Sequence, residues 1–204
     1  MKQVFDTNVF GLMRVTRSLL PLMRNGGKKG GRVINIGGVS SVNVPIPLTA
    51  INGASKAAVL SLTHSLNMEL ARFDIKCIAV CPDDRFNTQM FNEDRLLRNL
   101  NSEIERTKPE IVESYGGVKT LENIRQIIGK ALPRFAYCDP NIVVDAIEHA
   151  VVSSWPRAEY YPVEWGTRIL TGAYATLPHN LFRRFVSSLP FAGPEATRTL
   201  ITRA

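Results

Sequence analysis

The sequence has little with which to cross a membrane, staple itself or hold a metal. No stretch approaches the ~18 uninterrupted apolar residues of a spanning helix. Cysteine is scarce and odd in number, with only Cys77, Cys81 and Cys138. The first two lie inside an apolar run, with no C-x-x-C pair and no histidine nearby, which argues against a disulfide scaffold or a zinc site and fits a reduced compartment. The three histidines, His64, His149 and His179, have no carboxylate or cysteine at catalytic or metal spacing, so no metal site is expected. Met1 to Gly11 lacks an apolar stretch followed by a small-residue cleavage site and does not read as a secretory signal; the expected location is intracellular, cytoplasmic or membrane-associated. Gly26 to Gly31 is glycine-rich but lacks the Gly-Lys-Ser/Thr order of a phosphate-binding loop, and it precedes a strand instead of opening a helix. Lys and Arg exceed Asp and Glu, 25 against 18, for a net charge of +7. The basic residues are scattered, so a nucleic-acid partner is not expected.

What is present suffices for a core. The 204 residues are 45% hydrophobic and 21% charged, the balance of a soluble globular chain of one domain. Apolar residues from Phe5 to Met23 recur at helical spacing, and Arg32-Val33-Ile34-Asn35-Ile36 reads as a buried strand. A loop with Pro45 and Pro47 leads to a helix over about Asn52 to Phe73, on which Val59, Leu62, Leu66 and Leu70 form one stripe. A second strand, Ile75 to Cys81, stops at Pro82. This order and its near-continuous apolar strands predict an α/β architecture with a parallel sheet covered on both faces. Asp83 to Lys130 turns polar, with weak helical periodicity from Asp94 to Leu100 and from Leu121 to Ile128. Asp139-Pro140 opens a further amphipathic helix over Asn141 to Val152. The expected organisation is one domain with a core over residues 1–82, an insertion over 83–138 and a helical, aromatic extension over 139–204.

These residues, in this order, resemble the short-chain dehydrogenase/reductase family. Asn8 in Thr7-Asn8-Val9-Phe10-Gly11 is similar to its central-helix Asn segment, Arg32 to Ile36 to its fifth strand, Gly53-Ala54-Ser55-Lys56-Ala57-Ala58-Val59 to its active-site helix, and Ile78 to Pro82 to its sixth strand. Asp139 to Pro162 resembles the branch of retinol, hydroxysteroid and D-β-hydroxybutyrate dehydrogenases. The resemblance implies a Rossmann-like, doubly wound parallel sheet, of which this chain lacks the dinucleotide-binding first strands and their glycine-rich turn. It also implies hydride transfer between NAD or NADP and a small lipophilic alcohol or ketone. By position, Asn8, Ser40 and Lys56 are the candidate catalytic residues, and Lys56, Pro82 and Thr88 the candidate cofactor contacts.

The departures fall on the chemistry. The family places a tyrosine four residues before the lysine, on one helical face, where the ammonium lowers the phenol pKa and makes a general acid/base. Here that position is Asn52, whose amide cannot exchange a proton with an alcohol. The usual serine position is Gly38, with Ser40 and Ser41 displaced along the chain. Pro82 is followed by Asp83 where the family has glycine, which should set a negative charge beside the nicotinamide. Three readings stay open: an impaired oxidoreductase, a non-catalytic module forming a homo- or hetero-oligomer through the helices over residues 5–23 and 52–73, and a truncated product with an exposed sheet edge. The segment Ile169 to Leu189, with Arg183 and Arg184, reads either as a peripheral membrane helix or as a core-covering or dimer-contacting one.

Overall fold

The computed structural model describes residues 2–25, 30–39, 50–83, 93–114, 116–117, 122, 125, 139–178, 180–181 and 184. They belong to two units, Met1–Asp84 with Pro140–Ala175, and Arg85–Asp139 with Thr176–Ala204. The first unit opens on α1 (Lys2–Phe5), passes through a π-helical segment (Asp6–Gly11) and continues as α2 (Leu12–Asn25). β1 (Arg32–Ile36), α3 (Ala50–Leu70) and β2 (Lys76–Val80) follow. After α4 (Glu93–Glu105) and α5 (Pro109–Ser114) of the second unit, the chain returns to the first with α6 (Asn141–Val152), β3 (Glu159–Tyr160) and α7 (Trp165–Thr176).

The three strands form one parallel sheet in the order β1-β2-β3. Val33 lies opposite Cys77, Ile34 opposite Ile78 and Ala79 opposite Glu159. Because successive side chains point to opposite faces, β2 feeds two cores at once. Cys77 joins Leu20 of α2 with Leu66 and Leu70 of α3, against which Met13, Met23 and Val33 pack. Ile78 and Val80 join Ala150 and Tyr160 on the other face, with Ile34, Val143, Ala146 and Ile147. The expected parallel α/β sheet with helices on both faces is therefore present. Within the span expected to be a helical extension, Glu159–Tyr160 adds the third strand.

Side chains tie the layers together. Arg32, at the start of β1, donates to the carbonyls of Ala150, Val151 and Ser153 at 2.6 to 2.8 Å. These carbonyls lie at the end of α6, where a helix has orphan acceptors and a cation is favoured. Asn35 Nδ2 donates to Thr63 Oγ1 of α3 at 2.9 Å, and both residues are buried. Asp74 turns the chain in the left-handed region, φ 55°, with its carbonyl so close to Gly30 that a Cβ there would overlap it. In the second unit the periodicity over Asp94 to Leu100 is realised as α4; past the end of α5 at Ser114, the Gly116 N–H donates to Glu113 O, and its φ of 96° suits glycine. The expected helix over 121–128 lies largely outside the described residues.

Candidate active site at the ends of β1 and β2

Asn8 sits in the π-helical segment, where the wider turn interrupts the ordinary helical ladder. Its amide donates to Ser55 Oγ at 2.9 Å, and Ser55 Oγ donates to the Asn52 carbonyl at 2.7 Å. Ser55 is wholly buried, so this relay pins Asn8 to the first turns of α3. The next residue, Lys56, donates from Nζ to the carbonyl of Ile36, the last residue of β1, at 3.0 Å. Two of the sequence-predicted residues, Asn8 and Lys56, thus meet at one turn of α3 over the carboxyl end of a parallel strand, where open α/β sheets place their ligands. Ser55 was not singled out by the sequence; as a small residue beside a lysine on a helix it carries no signal until Asn8 is placed above it.

Beyond the strands, β1 and β2 continue to pair. Gly37 N–H donates to Val80 O at 2.8 Å and Val39 N–H to Pro82 O at 2.9 Å. The approach is close enough that a Cβ on Gly37 would lie 2.8 Å from Cys81 Sγ. Gly38 is buried in this seam, and Pro82 lies across from it with its carbonyl engaged. Ser40 and Thr88 fall outside the described residues.

Asp83, expected to set a negative charge beside the nicotinamide, is buried, and Thr167 Oγ1 of α7 donates to its Oδ2 at 2.5 Å. A donor 84 residues away draws the carboxylate into the fold. His64 does have a carboxylate partner, since its Nε2 is 2.6 Å from Glu159 Oε1. The other oxygen of Glu159 accepts from the Tyr161 hydroxyl. Burial first, then that hydrogen bond and the nearby carboxylate charge, hold the Tyr161 phenol well above the ordinary tyrosine range. Tyr161 therefore keeps its proton at neutral pH, donated to Glu159. Among the described residues no group of three or more His, Cys, Asp or Glu gathers as a metal site, and no helix is long and apolar enough to cross a membrane.

Chemically, the site offers an ammonium at the end of β1 and an amide-hydroxyl relay beneath it. It does not offer, at Asn52, a group that gives or takes a proton near neutral pH.

A family model described as short chain dehydrogenase matches residues 1–99. Over 189 residues the chain is 28% identical to 11-beta-hydroxysteroid dehydrogenase type 2 of Homo sapiens, covering 92% of this chain and 44% of that protein. Over 163 residues it is 32% identical to retinol dehydrogenase 7 of Rattus norvegicus, covering 77% and 47%. The chain spans somewhat under half the length of these curated relatives. The crystal structure of a short-chain dehydrogenase from Streptomyces avermitilis superposes with a TM-score of 0.58 at 25% identity, over 91% of this chain and 61% of that one. One from Burkholderia phymatum, in complex with NAD, shares the fold with a TM-score of 0.54 at 23% identity, over 82% and 54%. The chain belongs to the short-chain dehydrogenase family, in the branch of its hydroxysteroid and retinol dehydrogenases.

Proposed function

We propose that this chain carries the active-site scaffold of a nicotinamide-dependent oxidoreductase of lipophilic alcohols or ketones in which the proton-transfer step is disarmed. The observation that carries the reading is the pairing on α3 of Lys56, held at the end of β1, with Asn52 one turn before it. NAD or NADP, the cofactor of the family, would take or give the hydride. The nicotinamide end of such a cofactor fits what the strand ends present: Lys56 Nζ stands where it could hold a ribose hydroxyl, and Asp83 turns its charge toward Thr167. Asn8 and Ser55 brace the first turns of α3, which fixes where Lys56 stands. Oxidising an alcohol also requires its hydroxyl proton to leave, and reducing a ketone requires a proton to arrive. A positioned acid/base accelerates that step by about 10²- to 10⁴-fold, and nothing at position 52 supplies it.

The test pairs turnover with binding. Asn52→Tyr combined with Gly38→Ser is expected to raise oxidation of retinol or a hydroxysteroid by about 10²-fold or more, with Lys56→Ala removing the gain. A wild-type chain as active as the double variant would overturn the reading. So would an inert double variant whose thermal melt is raised by NADH or NADPH, because the cofactor would then be seated without restoring chemistry.

A second reading, a partner-binding module, is favoured by α2, where Val15, Leu19 and Leu22 are 58%, 47% and 71% exposed at helical spacing. An apolar stripe of this kind suits another helix pair. Sedimentation is expected to show association, and a monodisperse monomer at micromolar concentration would sink this reading.

A further inference from the structure

Neither the relay at Asn8 nor Lys56 accounts for a cavity of about 740 Å³ in the first unit, bordered by α6, β3 and α7 and reaching Val39 beyond the end of β1. We propose that this cavity binds a monocarboxylate with an apolar body, such as a medium-chain acid. Its volume lies within the range of small-molecule sites. One wall is apolar, built from Val39, Ile142, Ala146 and Val163. The lining also holds a buried polar group: Thr171 Oγ1 has no hydrogen-bond partner among the described residues. Buried hydroxyls are seldom left so, because losing water without a replacement partner is costly.

The charges select the ligand. Arg157 and Arg168 border the cavity, and neither guanidinium makes a hydrogen bond or ion pair among the described residues. A guanidinium presents a planar fork that matches a carboxylate. The acidic groups on the wall do not cancel them. Glu159 has both oxygens engaged, by His64 and by the Tyr161 hydroxyl, which leaves Asp145 against two arginines. His149 and Tyr160 also border the cavity but are turned to each other, Nδ1 to hydroxyl at 2.7 Å, and the Arg157 N–H donates to the same hydroxyl at 3.0 Å. The groups left for a ligand are therefore two guanidiniums against one carboxylate, a hydroxyl and an apolar wall, a net positive lining. An acid head and a hydrocarbon tail suit it.

Calorimetric titration of the whole chain with decanoate, decanol and acetate tests this. Decanoate is expected to bind saturably and one to one, decanol about ten-fold more weakly for want of the charge, and acetate not measurably for want of the tail. Arg157→Gln with Arg168→Gln, both at exposed positions and so compatible with folding, should weaken decanoate about ten-fold and leave decanol unchanged. Ala146→Phe, which fills the apolar end, should weaken both, with far-ultraviolet circular dichroism checking the fold. The proposal is overturned if decanol matches decanoate, if the double arginine variant binds decanoate as the wild type does, or if decanoate shows no saturable binding up to about 1 mM. Because the cavity shares no residue with the Asn8, Ser55 and Lys56 relay, none of these outcomes depends on whether the chain turns over an alcohol.

Discussion

β1 and β2 are strands of equal length, paired in register, with similar apolar sequences, yet they are buried very differently. From Cys77 to Val80 every residue of β2 is buried, with strands on both sides and helices on both faces. β1 is mostly half-buried, and Ile36 at its end is 42% exposed. The difference is one of neighbours: β2 is central, whereas the outer edge of β1 meets no strand among the described residues. A β-branched strand with an unpaired edge presents open hydrogen-bonding groups to any further strand. The exposed stripe on α2 belongs to the same unit. The centre of the fold is closed on both sides and both faces, whereas its β1 border is open among the described residues.

The largest effect should separate the two strands directly. Ile78, 1% exposed, lies in the α6 face of the core. Ile78→Ala is expected to cost about 3 to 4 kcal/mol in urea unfolding, through lost burial and the cavity left behind. Ile36→Ala should cost less than about 1 kcal/mol, since little of that side chain is removed from water. If Ile36→Ala instead costs as much as Ile78→Ala, the border of β1 is covered in solution by another chain, and the asymmetry belongs to the isolated unit alone.

A smaller effect concerns how the ends of the strands are closed. Asp83 follows β2 and is held by Thr167 of α7. Thr167→Val keeps the side-chain volume but leaves a buried carboxylate without that donor, whereas Asp83→Ala removes the charge and its desolvation together. Thr167→Val is therefore expected to cost more, about 2 kcal/mol against about 1 kcal/mol. Both should hasten proteolysis within α7, and equal costs would mean that Asp83 is satisfied without α7.

How much of this was legible in the sequence divides along the same lines. β1, β2 and α6 could be read because burial on both faces demands long apolar runs, and local periodicity reports them. β3 could not, since Glu159–Tyr160 is two residues long and forms a strand only because β2 offers an edge to pair with. Asn8 and Lys56 were found through their local motifs, and the structure brings them to one turn of α3. What holds them was not visible: the π-helical segment that carries Asn8, the buried Ser55 that accepts from it and the Ile36 carbonyl that holds Lys56 are tertiary facts. The same is true of the partners of His64 and Asp83, which lie 95 and 84 residues away along the chain. Composition can mark a charged residue as unusual, but it cannot name the distant side chain that hydrogen-bonds it.

A pH-dependent effect sharpens the comparison from the side of β2. Cys77 is free, buried against α2 and α3, and its thiol is raised by burial to about 11. In the unfolded chain the same thiol ionises near its ordinary value of 9.0. Between these two values the folded protein holds a proton that the unfolded one has released, so stability must fall as the pH rises from about 9 to about 11 and is unaffected by this group below that window. Cys77→Ser removes the thiol's titration but places a hydroxyl in the core. Cys77→Ala is the cleaner comparison: it should lower stability at pH 7 and flatten the alkaline decline, read as the difference between urea melts at pH 8 and pH 10.5. At pH 8 the native thiol should also react with a thiol reagent only as fast as the protein opens, because access and ionisation both require exposure. Rapid labelling of Cys77 in the folded state would mean that β2 is reached from solvent without unfolding, and the contrast between a closed central strand and an open border would be lost.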